Sequence, residues 1–532
     1  MSNPFHDRRS SSVASVAILV VLCTALRLWF WRVTGLTLED SLITFRYADN
    51  LAAGNGFVYN IGERVLGTTT PLWTMILAGI RYFTKLDVIT AGKLVSIIFD
   101  AGTLILVWRC LTTIDRVAAH VWGLLFATAP LIVPISVSGM ETSLLLLCMS
   151  AGLHGVIFRN ILYGPALAFT ILTRIDGVLY AGILAAAGLL RDGPRARRHF
   201  VVALALCGAW FGFSYFYFGS LLPQSLLAKR ALYRFDVAGS AAPFIHEFTP
   251  VGESSVLRIA VRCAFLLLLC LGLVRTLRTG KSFLPVPVFF ILYCLVFMAS
   301  ATVIFQWYLV PAAWAACILL ALGAAEFSAW LRARLRWTLL RPTMAPAVAV
   351  FLCAANLVAL DARSERLGQL QDFEDHLRKK IGLWLRDNAP EGSEVLLEPL
   401  GYIGYYAGPS IRVRDEIGLV SPAILALRRE TTGWYTLALR RLKPAYVVQY
   451  ASALDENLAE GTRSPLFLDQ GEREWFELNY GAAETFDVLD RYPQIEAREK
   501  KFILFRRRAE IPEPGQMDKG ELAGGILAPQ AN

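Results

Sequence analysis

Two adjacent carboxylates, Glu39 and Asp40, open the chemically richest stretch of the chain, LEDSLITFRYADNLAAGNGFVYNIGERVLGTTTPLW over 38–73. They follow the apolar run Val13 to Trp31, at a depth where a carboxylate stays ionised and still reaches a lipid headgroup. A carboxylate there can take a proton from a hydroxyl, and cations beside it can carry the charge of a phosphate leaving an anomeric carbon. The chemistry that fits is sugar transfer from a lipid phosphate, with Asp40 and Glu39 as the acids. The candidate cations are Arg46, Arg64, Arg174, Lys229 and Arg230, since a guanidinium fork matches phosphate oxygens. Tyr47, Glu63, Glu141, Asp176, Gln224 and Trp307 complete the substrate-binding set. The plainer reading makes Glu39 and Asp40 the cap of an interfacial helix beginning at Ser41, although a cap needs only one acid. Glu141 reads equally as the cap of a helix from Thr142, Arg174 with Asp176 as a structural ion pair, and Trp307 with Tyr308 as interfacial anchors.

The elements that must position these residues are membrane helices. The 532 residues are 55% hydrophobic with a mean hydropathy of +0.48, and apolar runs of transmembrane length recur through the first two thirds. The net charge of +9 falls between those runs, which argues against nucleic acid and for the bias of Lys and Arg toward cytoplasmic loops. All nine cysteines lie in apolar segments, so neither disulfides nor a metal cluster is expected. Arg8 and Arg9 before an apolar run suggest a retained signal anchor.

Spans are expected at 13–33, 91–111, 117–137, 140–158, 160–174, 176–190, 200–219, 256–274, 283–303, 307–330 and 343–360, about eleven in all. Arg8 and Arg9, Arg116, Arg159, Arg191 to Arg198, Arg275 to Lys281 and Arg332 to Arg341 then share one side. This makes residues 1–12 a cytoplasmic N-terminus and 13–360 the membrane domain, with 34–90 a catalytic outer loop. Residues 220–255 lie outside as well. Pro71 to Thr84 is too short to cross and reads as a helix in the interface. Asp100, in the middle of an apolar span, must face the bundle interior. Residues 361–509 read as a soluble extracytoplasmic α/β domain, with a helical stretch at 365–388 and strand-like segments at 394–398, 411–415, 445–450 and 502–507. Residues 510–532 read as a disordered tail. The fold class is thus an all-α polytopic membrane bundle with a C-terminal α/β domain. GYIGYYAG at 401–408 reads as Gly-rich turns between strands rather than as a sugar-binding surface, and it lacks the spacing of a dinucleotide fingerprint.

The 38–73 stretch resembles the first outer loop of the GT-C superfamily of integral membrane glycosyltransferases. SGMET (138–142), LTRIDG (172–177), LLPQSLLAKR (221–230) and QWYLVPA (306–312) follow in the same order. The chain looks most similar to the branch containing cell-wall arabinofuranosyltransferases and the aminoarabinose and protein mannosyl transferases. It departs from the family pattern at Glu39, Leu66 and Thr70. The resemblance implies Asp40 as general base, a polyprenyl-phosphate-linked sugar donor, and a cell-envelope glycan, lipid or protein acceptor. It further implies reaction outside the plasma (inner) membrane with inversion at the anomeric carbon. No cofactor is expected, because the carboxylates supply too few oxygens for a dedicated divalent-cation site. The competing class is a transporter or flippase of a lipid-linked sugar, which should carry broken midplane helices and a charged through-path. A catalytically dead scaffold is disfavoured by the retained acids.

Overall fold

The apolar runs become helices of very different lengths, because prolines and charged caps cut them where hydropathy alone does not. The computed structural model describes residues 4–232, 236–249, 255–279, 281–334, 344–430, 432–454, 466–489, 491–493, 495–496 and 499–508. Residues 1–3 of the N-terminal segment, the tail at 510–532, and Arg336 and Arg341 lie outside the described residues.

Helix α1 (Pro4–Thr34) carries the first apolar run, followed by α2 (Glu39–Ala52) and α3 (Pro71–Thr84). Next come α4 (Val88–Leu111), α5 (Arg116–Thr128), α6 (Ile132–Ser136), α7 (Thr142–Phe158), α8 (Tyr163–Thr173), α9 (Gly177–Asp192) and α10 (Arg197–Phe218). Two short helices, α11 (Gln224–Leu232) and α12 (Val237–Phe248), precede α13 (Val256–Thr279), α14 (Pro285–Met298), α15 (Gln306–Arg334) and α16 (Met344–His376). Among the described residues, five stretches are long and apolar enough to cross a membrane: Val13–Thr34, Val88–Leu111, Gly177–Phe218, Arg258–Arg278 and Gln306–Arg334. Thr142–Phe158, Tyr163–Thr173 and Pro285–Met298 are apolar but shorter.

Several boundaries differ from the sequence expectation. The span expected at 117–137 is two helices, because Pro130 has no N–H to donate and holds Ala129 extended at φ −56°, ψ 115°. Helix α5 starts where the Asp115 carboxylate accepts the N–H of Val117 and Ala118. The expected break near 361 is absent, and α16 runs unbroken from the apolar stretch into the charged one. Helix α2 begins at Glu39 rather than Ser41, so both acids lie in its first turn.

Asp100 is fully buried in α4 and meets Arg27 of α1 at 2.5 Å, with the Ser136 hydroxyl donating to the same carboxylate oxygen. Sequence reading turned Asp100 toward the bundle interior but named no partner. A charged pair this deep holds only because each member neutralises the other.

After α16 the chain adds α17 (Arg378–Asn388), β1 (Glu394–Leu397), α18 (Leu400–Ala407), β2 (Arg412–Asp415), α19 (Pro422–Glu430), α20 (Trp434–Leu442) and β3 (Tyr446–Tyr450). It ends with α21 (Ala451–Leu454), α22 (Gln470–Asn479), β4 (Tyr480–Asp487) and β5 (Lys501–Arg507). The sheet order is β2-β1-β3-β5-β4, parallel across β2, β1 and β3 and antiparallel across β3, β5 and β4. Strand β3 is buried along its whole length, as its apolar run requires at the centre of a sheet. Strand β4 escaped sequence reading because its interior, Ala482 to Glu484, is exposed and poor in β-branched residues. GYIGYYAG is a helix rather than turns: α18 lies between β1 and β2 and buries Leu400, Tyr402 and Ile403. One apolar cluster joins this unit to the bundle, with Ile43, Tyr47, Phe57 and Tyr59 packed among Leu400, Ile403, Ile411 and Val413.

Candidate active site

The first turn of α2 is pinned before any ligand is considered. The Leu38 N–H donates to the Ser138 carbonyl at 3.0 Å, and the Ser41 hydroxyl donates to the Leu38 and Ser138 carbonyls. This fit needs Gly139, whose φ is +91° and where a Cβ would come within 2.6 Å of the Phe45 ring. Ser41, fully enclosed, is thus part of the frame, and its neighbours Glu39 and Asp40 project in different directions.

Asp40 faces Lys229 of α11, with Nζ 3.0 Å from Oδ2 and the two side chains 27% and 25% exposed, so the pair is open to an incoming ligand. Helix α11 is held by the Gln224 N–H donating to the Leu66 carbonyl at 2.7 Å and by the Gln224 side-chain amide donating to the Gly418 carbonyl at 3.2 Å. Arg230, next to Lys229, is exposed. The Lys229 ammonium lies 5.7 Å from the Phe305 ring, and Phe305 stacks on Trp307 with centroids 4.6 Å apart. The Trp307 carbonyl accepts from Arg174 at 3.1 Å, which carries the site to a second charged group.

That group is Arg174, Asp176 and Glu141. Arg174 forks onto Asp176 at 3.0 and 2.7 Å and lies 3.6 Å from Glu141, while Tyr293 donates to Asp176 at 2.9 Å. Glu141 is within Coulombic reach of Asp40 as well as of Arg174 and Asp176. Arg174 is 4% exposed and each of its three nitrogens makes a hydrogen bond, to Asp176 or to the Trp307 carbonyl, so its fork is committed. Gln306 lines a cavity of about 400 Å³ beside this wall, together with His246, Glu247, Arg363 and Arg366.

Other expected site residues sit elsewhere. Glu39, expected as a second catalytic carboxylate, turns away from Asp40 and accepts the N–H groups of Gly401 and of Tyr402, the latter at 3.1 Å. Burial raises its carboxyl above the ordinary range, against the opposing pull of Arg378 and those two N–H groups. Arg46, expected to meet phosphate, is buried and donates to the carbonyls of Tyr59, Gly404 and Ile411, because its side chain points into the joint with α18. Tyr47 closes its own loop, donating to the Val65 carbonyl at 2.7 Å and accepting from the Gly67 N–H at 2.8 Å. Glu63 pairs with Arg414 at 2.8 Å and ties the loop to β2. Arg64 is exposed, with its guanidinium 4.7 Å from the Tyr217 ring. Phe305 and Tyr293 were missed as wall residues, and Tyr308 was read as an interfacial anchor. The echo QWYLVPA gave the only pointer, since Tyr308 lies within it and faces Arg174 at 4.9 Å. Among the described residues no group of three His, Cys, Asp or Glu side chains could hold a metal ion.

Comparison with known proteins adds three findings. A family model described as Domain of unknown function (DUF8728) matches residues 367–505. A terminal β-(1→2)-arabinofuranosyltransferase of Mycobacterium tuberculosis (strain ATCC 25618 / H37Rv) is 28% identical over 246 residues, covering 41% of this chain and 38% of the relative. The chain therefore spans well under half the length of that relative. Among solved structures, ArnT from Cupriavidus metallidurans bound to undecaprenyl phosphate superposes with a TM-score of 0.60 at 14% identity, over 93% of this chain and 98% of that one. Arabinofuranosyltransferase AftD from Mycobacteria gives a TM-score of 0.51 at 12% identity, over 93% of this chain and 40% of that one.

Proposed function

We propose, from its GT-C fold and the setting of Asp40, that the chain transfers a sugar from a polyprenyl-phosphate donor to a cell-envelope glycan, lipid or protein acceptor. The observation that carries this reading is an accessible carboxylate paired with an ammonium at the head of a pinned helix. In the proposed mechanism Asp40 takes the proton of the acceptor hydroxyl as its oxygen attacks the anomeric carbon on the face opposite the phosphate, inverting the centre. Lys229 leaves Asp40 for the donor phosphate and stabilises it as it departs, so one cation serves first the base and then the leaving group. Arg174, held by Asp176 and Glu141, braces the Trp307 wall through its bond to the Trp307 carbonyl. The cation set against Asp40 is an ammonium, and the proposal needs no divalent metal.

The reading includes a topology of about eleven spans in the plasma membrane, with the α2 region and the sheet-bearing unit on the outer side as an α/β domain. Domain limits of 13–360 and 361–509 belong to the same proposal.

Replacing Lys229 by Ala tests it. Removing one charge-assisted hydrogen bond to phosphate costs about 1.5–3 kcal/mol, so kcat/KM for a synthetic polyprenyl-phosphate sugar should fall about 10- to 100-fold. An unchanged kcat/KM would remove Lys229 from the mechanism.

A further inference from the structure

We infer that Glu39 and Arg46 are positioning residues that fasten the Asp40 helix onto α18, so that the sheet-bearing unit aims the base; the inference rests on Asp40 being that base. Helix α18 is gripped at both ends by one helix, α2. At its N-terminus the Glu39 carboxylate accepts the free N–H groups of Gly401 and Tyr402, and negative charge is favoured there. Toward its other end Arg46 donates to the Gly404 carbonyl and, beyond the helix, to the Ile411 carbonyl at 2.6 Å. Seven residues separate Glu39 from Arg46, about two helical turns, so one face of α2 presents an acid and a base to opposite ends of α18.

Small residues make the contact possible. A Cβ at Gly401 would collide with Glu39, and one at Gly404 with the Tyr59 hydroxyl. Tyr59 in turn donates to the Leu400 carbonyl at 3.0 Å. Tyr402 extends the clamp to the segment before α2, donating to the Thr37 carbonyl at 2.7 Å, while the Thr37 N–H donates to Gln371 of α16 at 2.8 Å. Asp40, adjacent in sequence and rotated by about 100° around the helix, is thereby left pointing at Lys229. The two acids of the motif thus divide: one meets substrate, the other sets its angle.

The test uses the full chain in lipid nanodiscs with a synthetic polyprenyl-phosphate sugar and measures kcat and donor KM for Glu39→Gln, Arg46→Lys, Asp40→Asn and the double variant Glu39→Gln/Asp40→Asn. The amide of Gln keeps one acceptor and sets an NH2 donor against the other N–H group, and Lys cannot reach both carbonyls. Displacing a reacting group by about 1 Å costs on the order of 100-fold, so each single positioning variant should lose about 10- to 100-fold in kcat with donor KM within about 2-fold. In the Asp40→Asn background, Glu39→Gln should lower the residual rate by less than about 3-fold, because it acts through a base already removed. Thermal unfolding, by contrast, should shift equally in both backgrounds. A kcat for both Glu39→Gln and Arg46→Lys within 2-fold of the parent overturns the inference, and so does a full additional loss in the double variant. A near-parental rate for Asp40→Asn would instead sink the base assignment itself.

Discussion

Replacing Asp40 by Asn is expected to lower kcat by roughly 100- to 10,000-fold, the span that a positioned general base contributes. Asn keeps the size and the backbone of the first turn, which is fixed by Leu38, Ser41 and Ser138 rather than by Asp40. The fold should therefore survive and the loss should be chemical. Donor KM should stay level or fall, because the 3.0 Å charge pair between Lys229 and Asp40 no longer has to be broken for the ammonium to turn to the phosphate. A loss in kcat without a rise in KM marks an interaction made only in the transition state. Steady-state kinetics of purified parent and variant read both parameters. A kcat within about 3-fold of the parent would contradict the role given to Asp40.

The second large effect is expected far from the substrate. Changing Asp100 to Ala leaves the Arg27 guanidinium, 0% exposed, without its counter-charge, and breaking such a pair costs about 3–5 kcal/mol. Arg27 would keep only long bonds to the carbonyls of Cys23, Phe126 and Ala127, at 3.2–3.4 Å. The damage should reach the site, because the Asp100 carboxylate also holds Ser136, at the end of the short helix leading to Ser138, Gly139 and Glu141. Removing both charges with Arg27→Met and Asp100→Leu should restore much of the stability, since apolar replacements of a buried pair are often tolerated. Thermal unfolding in detergent gives the comparison. Equal stability of parent and Asp100→Ala would show that the pair is not holding α1 and α4 together.

Much of the site was legible because its chemistry is local. Asp40 and Lys229 stand in two short motifs whose residue types announce phosphate and proton chemistry, and Asp100 could be sent inward from cost alone. The illegible part depends on partners hundreds of residues away. Glu39 and Asp40 are indistinguishable as neighbours in sequence, and only α18, more than 360 positions later, separates them. Arg46 reads as a phosphate ligand for the same reason, until three backbone carbonyls are found around it. The reading of GYIGYYAG as turns failed because Gly401 and Gly404 mark the close approach of Glu39 and Tyr59 to a helix. Hydropathy found the apolar runs but not their ends, since Pro130 and the Asp115 cap act through backbone hydrogen bonds that a window average does not see.

The most direct test is a reconstituted transfer reaction. Purified protein in proteoliposomes, given a synthetic polyprenyl-phosphate sugar of known anomeric configuration and an envelope glycan acceptor, should release polyprenyl phosphate in step with a new glycosidic bond of the opposite configuration. Intact donor that merely exchanges between leaflets, with no new bond formed, would contradict the account.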